Sequence, residues 1–200
     1  MRPTIVTIGR QNGSGGRDVG RILASRLGVE CYDRQIVEET ARRSGMSIEE
    51  VENSEERART GSRLFFGGVP MANPVFADQS EAIRTLASKG PCVFVGRCAD
   101  HVLSDHQDVL SIFVTAPVPE RIRRSAERNG ITEREAYSRI TSKDRSREEY
   151  YLRYTGRRWA DASNYHLCID TGPVGVEGAV DIIIAYIERM GRGTNLMASL

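Results

Sequence analysis

Apolar residues along the chain alternate between short continuous runs and longer stretches with helical spacing. The first run, at 4–8, is rich in β-branched residues, and Val19, Ile22, Leu23 and Leu27 after it fall on one helical face. Because helical patterns also separate the later runs, we expect a parallel sheet with right-handed crossovers, and the fold class is α/β. The predicted strands lie at 4–8, 29–32, 92–95, 109–114 and 166–170.

Start and stop signals bound the helical stretches between these strands. Ser47 and Thr132 each begin a sequence with capping-box spacing, and Gly90-Pro91 stops a helix. Between 60 and 74 the pattern dissolves into a loop long enough to suggest function or mobility, and 191–200 reads as a flexible tail. The predicted helices are 34–44, 47–59, 75–89, one that begins at Pro117, 132–154 and 180–190.

The composition is that of one globular domain over residues 1–200. Apolar residues make up 40% of the 200 residues and charged residues 28%, which suits a protein that buries a sizeable core. Two segments, at about 34–90 and about 130–162, are longer than a minimal crossover requires. We regard both as candidates for lobes that close over a ligand.

The charge balance limits the partners that we expect. The net charge of +1 gives no global field toward nucleic acid or membrane, so any anion site is local. No apolar run approaches the roughly 20 residues of a membrane span, and the N-terminus has no signal-peptide pattern. We therefore expect a cytoplasmic protein with small-molecule substrates and neither nucleic acid nor membrane as partner, while its oligomeric state is open.

The cysteines and histidines show no metal-site spacing. Cys31, Cys92 and Cys168 lie in predicted strands, where buried free thiols are the better interpretation, and Cys98 lies in a candidate site. The remaining candidates for metal ligands are isolated from one another and are interpreted as surface or structural residues. They are His101, His106 and His166.

A glycine-rich stretch between the first strand and the first helix is typical of a phosphate-binding loop. Loop amides and the helix N-terminus would point at one spot, where the helix dipole adds partial positive charge. Aligned on its basic residue, the Walker motif G-x-x-x-x-G-K-[ST] falls on 11–18, with Arg17 at the lysine and Asp18 at the hydroxyl residue. An ordinary turn is the alternative, but the position after the first strand favours phosphate binding. The predicted phosphate-binding residues are Gly13, Ser14, Gly15, Gly16, Arg17 and Asp18.

Polar side chains follow several predicted strands, at the edge where parallel sheets bind ligands. Arg97 follows Gly96 at the end of a buried strand, and its planar guanidinium suits two phosphate oxygens. Asp33 and Asp170 also end strands, although exposed strand ends are often polar without function. Asp100 lies three residues beyond Arg97.

A second cationic stretch covers 143–159 and mixes arginines with aromatic residues. On a helix, Lys143 and Arg147 share a face, and Asp144 meets Arg147 across one turn. Mobile arginines stabilise the charge of a migrating phosphoryl group when a lid closes. A solvated charged helix is the alternative, and the balanced net charge makes a single-stranded nucleic-acid surface a weak third interpretation. Further lid candidates are Arg153, Arg157 and Arg158.

Together these motifs resemble the cytidylate kinase-like family, a branch of the nucleoside monophosphate kinases. The resemblance implies a P-loop NTPase-type, three-layer α/β/α fold with a five-stranded parallel sheet and helical acceptor-binding and lid segments. It also implies ATP with Mg²⁺ as donor and CMP or dCMP as acceptor. The matching stretches are 8–11 with 13–17, 95–100, 143–147, 150–151 with 154–156, Trp159 and 169–171.

The resemblance also implies roles for individual residues. Residues 13–16 would surround the ATP phosphates, and Arg17 would bridge the β- and γ-phosphates. Asp33, Arg97 and Asp100 would lie on the acceptor side, and residues 170–171 near the adenine. In the lid, Asp144 and Arg147 would match an Asp-x-x-Arg motif, with the arginine on the transferring phosphate. The catalytic residues implied are therefore Arg17, Asp144 and Arg147.

Several positions depart from the family pattern. Arg17 replaces a lysine, Cys98 replaces an aspartate, and the Thr-Gly-x-x-Tyr-Arg sequence expected after Asp33 is absent. Asp18 replaces a small or hydroxyl residue and either reaches Mg²⁺ through water or repels a triphosphate, so no metal ligand is certain. These departures leave two alternatives open: a P-loop kinase of a different small metabolite, and a nucleotide-binding regulator with little turnover.

Overall fold

A parallel sheet forms the centre of the molecule, whose computed structural model describes residues 5–57 and 74–197, with side chains at 5–52 and 74–190. Over these residues the sheet has five strands in the order β2-β3-β1-β4-β5. The α/β prediction with a five-stranded parallel sheet is therefore confirmed. The strands are β1 (Ile5–Arg10), β2 (Glu30–Tyr32), β3 (Cys92–Val95), β4 (Val109–Thr115) and β5 (Leu167–Asp170).

The helices between the strands begin where the capping signals predicted. Thr132 and Glu135 form a complete capping box, and Ser47 and Glu50 bond each other's backbone N–H groups in the same way. The helices are α1 (Gly16–Leu27), α2 (Arg34–Ser44), α3 (Ile48–Arg57), α4 (Pro74–Ala87), α5 (Ala99–Val102), α6 (Val118–Asn129), α7 (Glu133–Thr155) and α8 (Thr171–Met197).

Helices cover both faces of the sheet, which gives three layers. Because successive strand side chains point to opposite faces, Ile5 and Val6 belong to different clusters. On one face α1 and α8 pack against β1, β3 and β4, and on the other α2 and α4 pack against β1 and β3. The helical residues of the first cluster include Val19, Leu23, Val180 and Ile183, and those of the second include Ile36, Ile83 and Leu86.

The order of the strands places the ligand crevice at β1. This strand pairs with β3 on one side and with β4 on the other. The connection that leaves β1 leads to β2, and the connection that leaves β3 leads to β4, in the opposite direction along the sheet. In such sheets the crevice opens at the carboxyl ends of the strands beside this switch point. The residues that follow β1 and β3 are therefore the first to consider for a site.

Two sequence-based expectations are wrong at the β5 edge. Cys168 is exposed, because β5 is an edge strand, whereas Cys92 is buried and Cys31 is partly buried. A short helical segment begins at Thr171, directly after β5, and a kink at Gly175 (φ 68°, ψ −178°) separates it from the longer last helix, which therefore also starts before the predicted Val180.

The helix also extends to Met197, through most of the segment for which a tail was predicted. The predicted loop at 60–74 lies outside the described residues except for Pro74, which begins α4. Within 5–57 and 74–197, none of the helices is long and apolar enough to cross a membrane.

Candidate active site

The glycine-rich loop (residues 11–15) leaves β1 and enters α1 through two left-handed glycines. Gly13 has φ 79° and Gly15 has φ 81°, and Gly15 is the N-cap of α1. A Cβ on Gly13 would lie 2.6 Å from the carbonyl oxygen of Arg121, so glycine is needed there for space and for conformation. The loop therefore has the backbone of an anion cradle at a helix N-terminus.

Side chains from α6 and from the first residue of α8 hold a carbonyl group of this loop. The Thr171 hydroxyl donates to the Ser14 carbonyl oxygen at 2.7 Å and accepts a bond from Arg124 Nη1 at 2.8 Å. Arg124 Nη1 also donates to the Ser14 carbonyl oxygen at 3.2 Å. Because Thr171 is fully buried, this tether fixes the loop from behind.

Asp144 of α7 holds the loop from the other side. Its Oδ1 accepts a hydrogen bond from the Asn12 amide at 2.6 Å, and its Oδ2 accepts one from Arg121 Nη2. Arg121 closes the triangle, since its Nε donates to the Asn12 carbonyl oxygen at 2.8 Å. Burial raises the pKa of Asp144, while the Asn12 amide and the nearby Arg121 oppose that rise. Asp144 thus positions the loop relative to α6 and α7.

Four guanidinium groups converge beside the loop, and we call them the arginine cluster: Arg10, Arg17, Arg97 and Arg147. They come from the ends of β1 and β3, the first turn of α1, and α7. Asp33 at the end of β2 partly balances them, with its Oδ2 2.5 Å from Arg17 Nε and its Oδ1 3.6 Å from Arg10 Nη2. The local excess of positive charge suits a multiply charged anion.

Burial, with neighbouring positive charge as a smaller cause, lowers the pKa of three guanidinium groups in the cluster. Burial, and next the charge of Arg147, lower the pKa of Arg10 to about 9, so Arg10 stays charged at neutral pH. Burial also lowers the pKa of Arg97 and Arg147. Each cation would be stabilised by a bound anion, which makes the cluster a candidate phosphate site.

The backbone after β3 is strained where it presents Arg97. Gly96, Arg97 and Cys98 are all left-handed, with φ values of 80°, 62° and 55°. Two consecutive non-glycine residues in this region cost about 1–2 kcal/mol each, and such strain concentrates at functional sites. Gln79 Nε2 supports the turn by donating to the Arg97 carbonyl oxygen at 3.2 Å and to the Tyr150 hydroxyl at 3.0 Å.

Sequence reasoning missed Gln79 and Arg10, and also Arg121 and Arg124 of α6, which hold the loop. Gln79 is a lone glutamine in α4 that carries no motif signal, yet it is 1% exposed and joins α4, β3 and α7. Arg10 lay inside the glycine-rich stretch and was given no role of its own. The signal that could have identified Arg10 is a large cationic residue at the point where a strand turns into a glycine-rich loop.

Several predicted site residues lie away from the cluster. Asp100 accepts a hydrogen bond from the Tyr151 hydroxyl of α7 at 2.6 Å, so this bond joins it to α7 and not to Arg97. Burial raises the pKa of Asp100. Asp170 Oδ1 accepts a bond from the Gly172 amide at 2.8 Å at the start of α8. The outer lid candidates Arg153, Arg157 and Arg158 are exposed, and Lys143 is half-buried.

Asp18 and the described acidic residues offer little to a metal ion. Asp18 Oδ2 lies 2.5 Å from Arg128 Nη2, and its Oδ1 lies 3.9 Å from Arg21 Nη2. Among the residues that the structure describes, there is no group of three or more His, Cys, Asp or Glu side chains that could hold a metal ion. Any divalent cation at this site would therefore rely mainly on ligands that arrive with a nucleotide.

Known proteins resemble the chain over most of its length. The model of the cytidylate kinase-like family matches residues 5–173. A cytidylate kinase from Methanopyrus kandleri is 29% identical over 196 residues, covering 93% of this chain and 94% of that protein. A solved structure from Eubacterium ventriosum has a TM-score of 0.73 at 28% identity, covering 92% of this chain and 98% of that one. The shikimate kinase of Acinetobacter baumannii shares the fold alone, with a TM-score of 0.53 at 16% identity and 94% coverage of each chain.

Proposed function

The chain belongs to the cytidylate kinase-like family and is a nucleoside monophosphate kinase-like phosphotransferase, and from this premise we propose that it transfers the γ-phosphate of ATP to CMP or dCMP. One observation carries the proposal: the arginine cluster gathers cations from the ends of β1 and β3, from the first turn of α1 and from α7 beside the loop. A reaction that joins two polyanions needs such an arrangement.

A phosphate acceptor suits the chemistry of these side chains. In the proposed transfer, an oxygen of the acceptor phosphate forms a bond to Pγ. The bond from Pγ to the β,γ-bridging oxygen breaks, and its electron pair stays on ADP. Because a phosphate monoester is largely dianionic at pH 7, the attacking oxygen carries no proton and needs no base. A guanidinium group directed at the migrating group would stabilise the charge on its equatorial oxygens.

The positions of the residues suggest which substrate lies where. The left-handed loop at the N-terminus of α1 would hold the ATP phosphates, as in other glycine-rich loops. Arg97 at the strained end of β3, with Arg17 and Asp33 nearby, would face the acceptor phosphate. Arg147 would lie on the transferring group, and Asp144 would hold the loop in register with α7.

Magnesium fits this site only together with a nucleotide. When bound, Mg²⁺ neutralises charge on the β- and γ-phosphates of ATP. We propose that Asp18 does not reach it, since that carboxylate is already paired with Arg128. The cytoplasmic location expected from the sequence stays a prediction.

Coupled ADP formation, measured with Mg²⁺ and a panel of acceptors, tests the proposed function. The panel holds CMP, dCMP, UMP, AMP, GMP and a set of hydroxylated metabolites. We expect kcat/KM at least tenfold higher for CMP or dCMP than for any other acceptor, and its loss in Arg147→Ala. A hydroxylated metabolite as the best acceptor would indicate a P-loop kinase of a different small metabolite. Tight ATP binding without any transfer would indicate a nucleotide-binding regulator with little turnover. Either result contradicts the proposal.

A further inference from the structure

We propose that the phosphate-binding cation of the glycine-rich loop is Arg10 at the end of β1, and not Arg17 on α1. The inference rests on the proposed function in one respect, namely that the loop receives the phosphates of ATP. It assigns to Arg10 the contact with the β- and γ-phosphates that a lysine of the first helical turn makes in a Walker loop.

The conformation of the loop sets the register of the motif. In the Walker motif the lysine directly follows the glycine that closes the loop. Gly15 is that glycine by conformation, because it is left-handed and caps α1, whereas Gly16 is the first helical residue and is not among the residues with positive φ. The motif then covers 10–17, one residue earlier than an alignment on Arg17. In this register Arg10 stands at the first glycine and Gly16 at the lysine.

Gly16 is glycine because Arg10 occupies the space beside it. A Cβ on Gly16 would lie 2.4 Å from the Cβ of Arg10, a distance that real Cβ atoms essentially never show, and 3.0 Å from its Cγ. Since Gly16 has helical backbone angles, its conformation alone would accept any side chain. Compared with the Walker motif, the two positions have therefore exchanged residue types. The large cationic residue is on the strand and the glycine is on the helix.

The Arg10 side chain leads from the loop toward the acceptor side. A Cβ on Gly96 would lie 1.6 Å from Arg10 Nη1, so the guanidinium rests directly on the glycine that follows β3. The same group interacts with Asp33, Arg97 and Arg147. It therefore lies between the loop, where we place the donor, and Arg97, where we place the acceptor.

Arg17 occupies a different position in the cluster. Its side chain is 63% exposed, and that of Arg10 is only 13% exposed. Its Nε lies 2.5 Å from Asp33 Oδ2, which directs the charged head to the end of β2 at the rim of the site. A cation at the exposed rim is worth less to a bound phosphate than one enclosed by the protein.

Isothermal titration calorimetry with a non-hydrolysable ATP analogue and Mg²⁺ tests the assignment without any acceptor. We expect Arg10→Gln to raise the dissociation constant of the analogue at least 30-fold. The factor by which Arg17→Gln raises it should be at least ten times smaller. Arg26→Gln, at the far end of α1 where Arg26 pairs with Glu177 and Asp181, is the matched control and should bind like the wild type. Equal or larger loss in Arg17→Gln overturns the proposal.

A swap of the two positions separates phosphate binding from a structural role. Gly16→Lys alone should bind the analogue poorly, because its side chain meets Arg10. The double variant Arg10→Gly with Gly16→Lys restores a Walker lysine and should recover affinity to within tenfold of the wild type, which Arg10→Gly alone should not. A folded double variant that binds no better than Arg10→Gly, or Gly16→Lys that binds like the wild type, overturns the assignment.

Two further readouts keep the result decisive. Where the double variant does not fold by circular dichroism, Arg10→Lys keeps the charge and should bind at least fivefold more tightly than Arg10→Gln, and the reverse order overturns the proposal. The calorimetry contains no acceptor, so refusal of CMP in the coupled assay would contradict the proposed function and leave the Arg10 assignment intact. Failure of the wild type to bind the analogue would overturn both.

Discussion

The Nη1 atom of Arg147 donates a hydrogen bond to the carbonyl oxygen of Arg10 over 3.0 Å. This bond joins the middle of α7 to the last residue of β1, across 137 positions of sequence. Asp144, one turn earlier on α7, bonds the Asn12 amide beside it. The helix predicted as a lid and the loop predicted as a phosphate cradle therefore form one continuous site.

The first prediction concerns the charge of Arg147. Arg147→Ala should lower kcat by about a thousandfold or more, roughly 4 kcal/mol of barrier, because a guanidinium on the migrating phosphoryl group acts chiefly in the transition state. The dissociation constant of an ATP analogue should change less than tenfold. Steady-state kinetics with calorimetry measure both quantities.

The neighbouring Arg145 supplies the control for this prediction. It lies on the same helix and its Nε pairs with Glu149 Oε1 at 2.9 Å on the exposed side, so Arg145→Ala should keep kcat within twofold. Equal losses of kcat and of ATP-analogue affinity in Arg147→Ala would mean that Arg147 binds only the ground state.

The second prediction separates the acceptor side from the donor side. Arg97→Ala should reduce kcat/KM for the acceptor about 100-fold, because the strained turn after β3 presents this guanidinium to the acceptor phosphate. Affinity for the ATP analogue should change less than threefold. Arg84→Ala, an exposed position on α4 paired with Glu81, is the control. Unchanged acceptor kinetics in Arg97→Ala would remove Arg97 from the site.

The sequence predicted those parts of the site that depend on local patterns. Continuous apolar runs gave the strands, because parallel strands are buried on both faces, and the capping sequences at Ser47 and Thr132 gave the helix starts. Arg97 and Arg147 could be found because each follows a motif at a strand end or on a helix face. The pairing of β1 with β3 places Arg97 beside Arg10, and the hydrogen bond from Arg147 to the Arg10 carbonyl oxygen brings α7 to the same place.

The parts that sequence could not predict depend on contacts between distant segments. The role of Arg10 follows from a space shared with Gly16 and Gly96, and only the three-dimensional approach of those backbones shows it. Gln79 acts through bonds to β3 and α7, which leave no trace in local pattern. The exposure of Cys168 depends on which strand lies at the edge of the sheet, and composition does not give strand order.

The third prediction tests the close approach of α6 to the loop. Gly13 and Gly130 are both left-handed, with φ values of 79° and 62°, but a Cβ would meet the Arg121 carbonyl oxygen only at Gly13. Gly130→Ala should therefore cost about 1–2 kcal/mol of unfolding free energy from backbone strain alone. Gly13→Ala should cost about 3 kcal/mol or more, because overpacking adds to that strain.

Urea unfolding monitored by circular dichroism measures this difference. The two substitutions are matched in chemistry and in backbone region, so the gap between them isolates the contact with Arg121. Gly13→Ala should also weaken binding of the ATP analogue, whereas Gly130→Ala should leave it unchanged. Equal destabilisation by the two substitutions would show that the loop and α6 are not in close contact in solution.

The fourth prediction concerns Asp100, whose bond to Tyr151 ties α5 to α7 away from the arginine cluster. Burial raises the pKa of Asp100 above its ordinary value of 3.8. Between the ordinary and the raised pKa, the folded protein holds a proton that the unfolded chain has released. The unfolding free energy contributed by Asp100 is thus fully present at low pH and falls as pH rises through that interval.

Asp100→Asn removes this titration and keeps an oxygen that accepts the Tyr151 hydroxyl bond. We expect the variant to gain stability relative to the parent as pH rises above the ordinary pKa of an aspartate, because only the parent has a buried carboxyl group that must lose a proton. Both proteins should carry His101→Asn, because burial lowers the pKa of the adjacent His101, whose stability contribution is lost as pH falls and has the opposite sign. Urea titrations at four pH values measure the difference. A gap that is constant with pH would show that Asp100 is as accessible to solvent in the folded protein as in the unfolded chain.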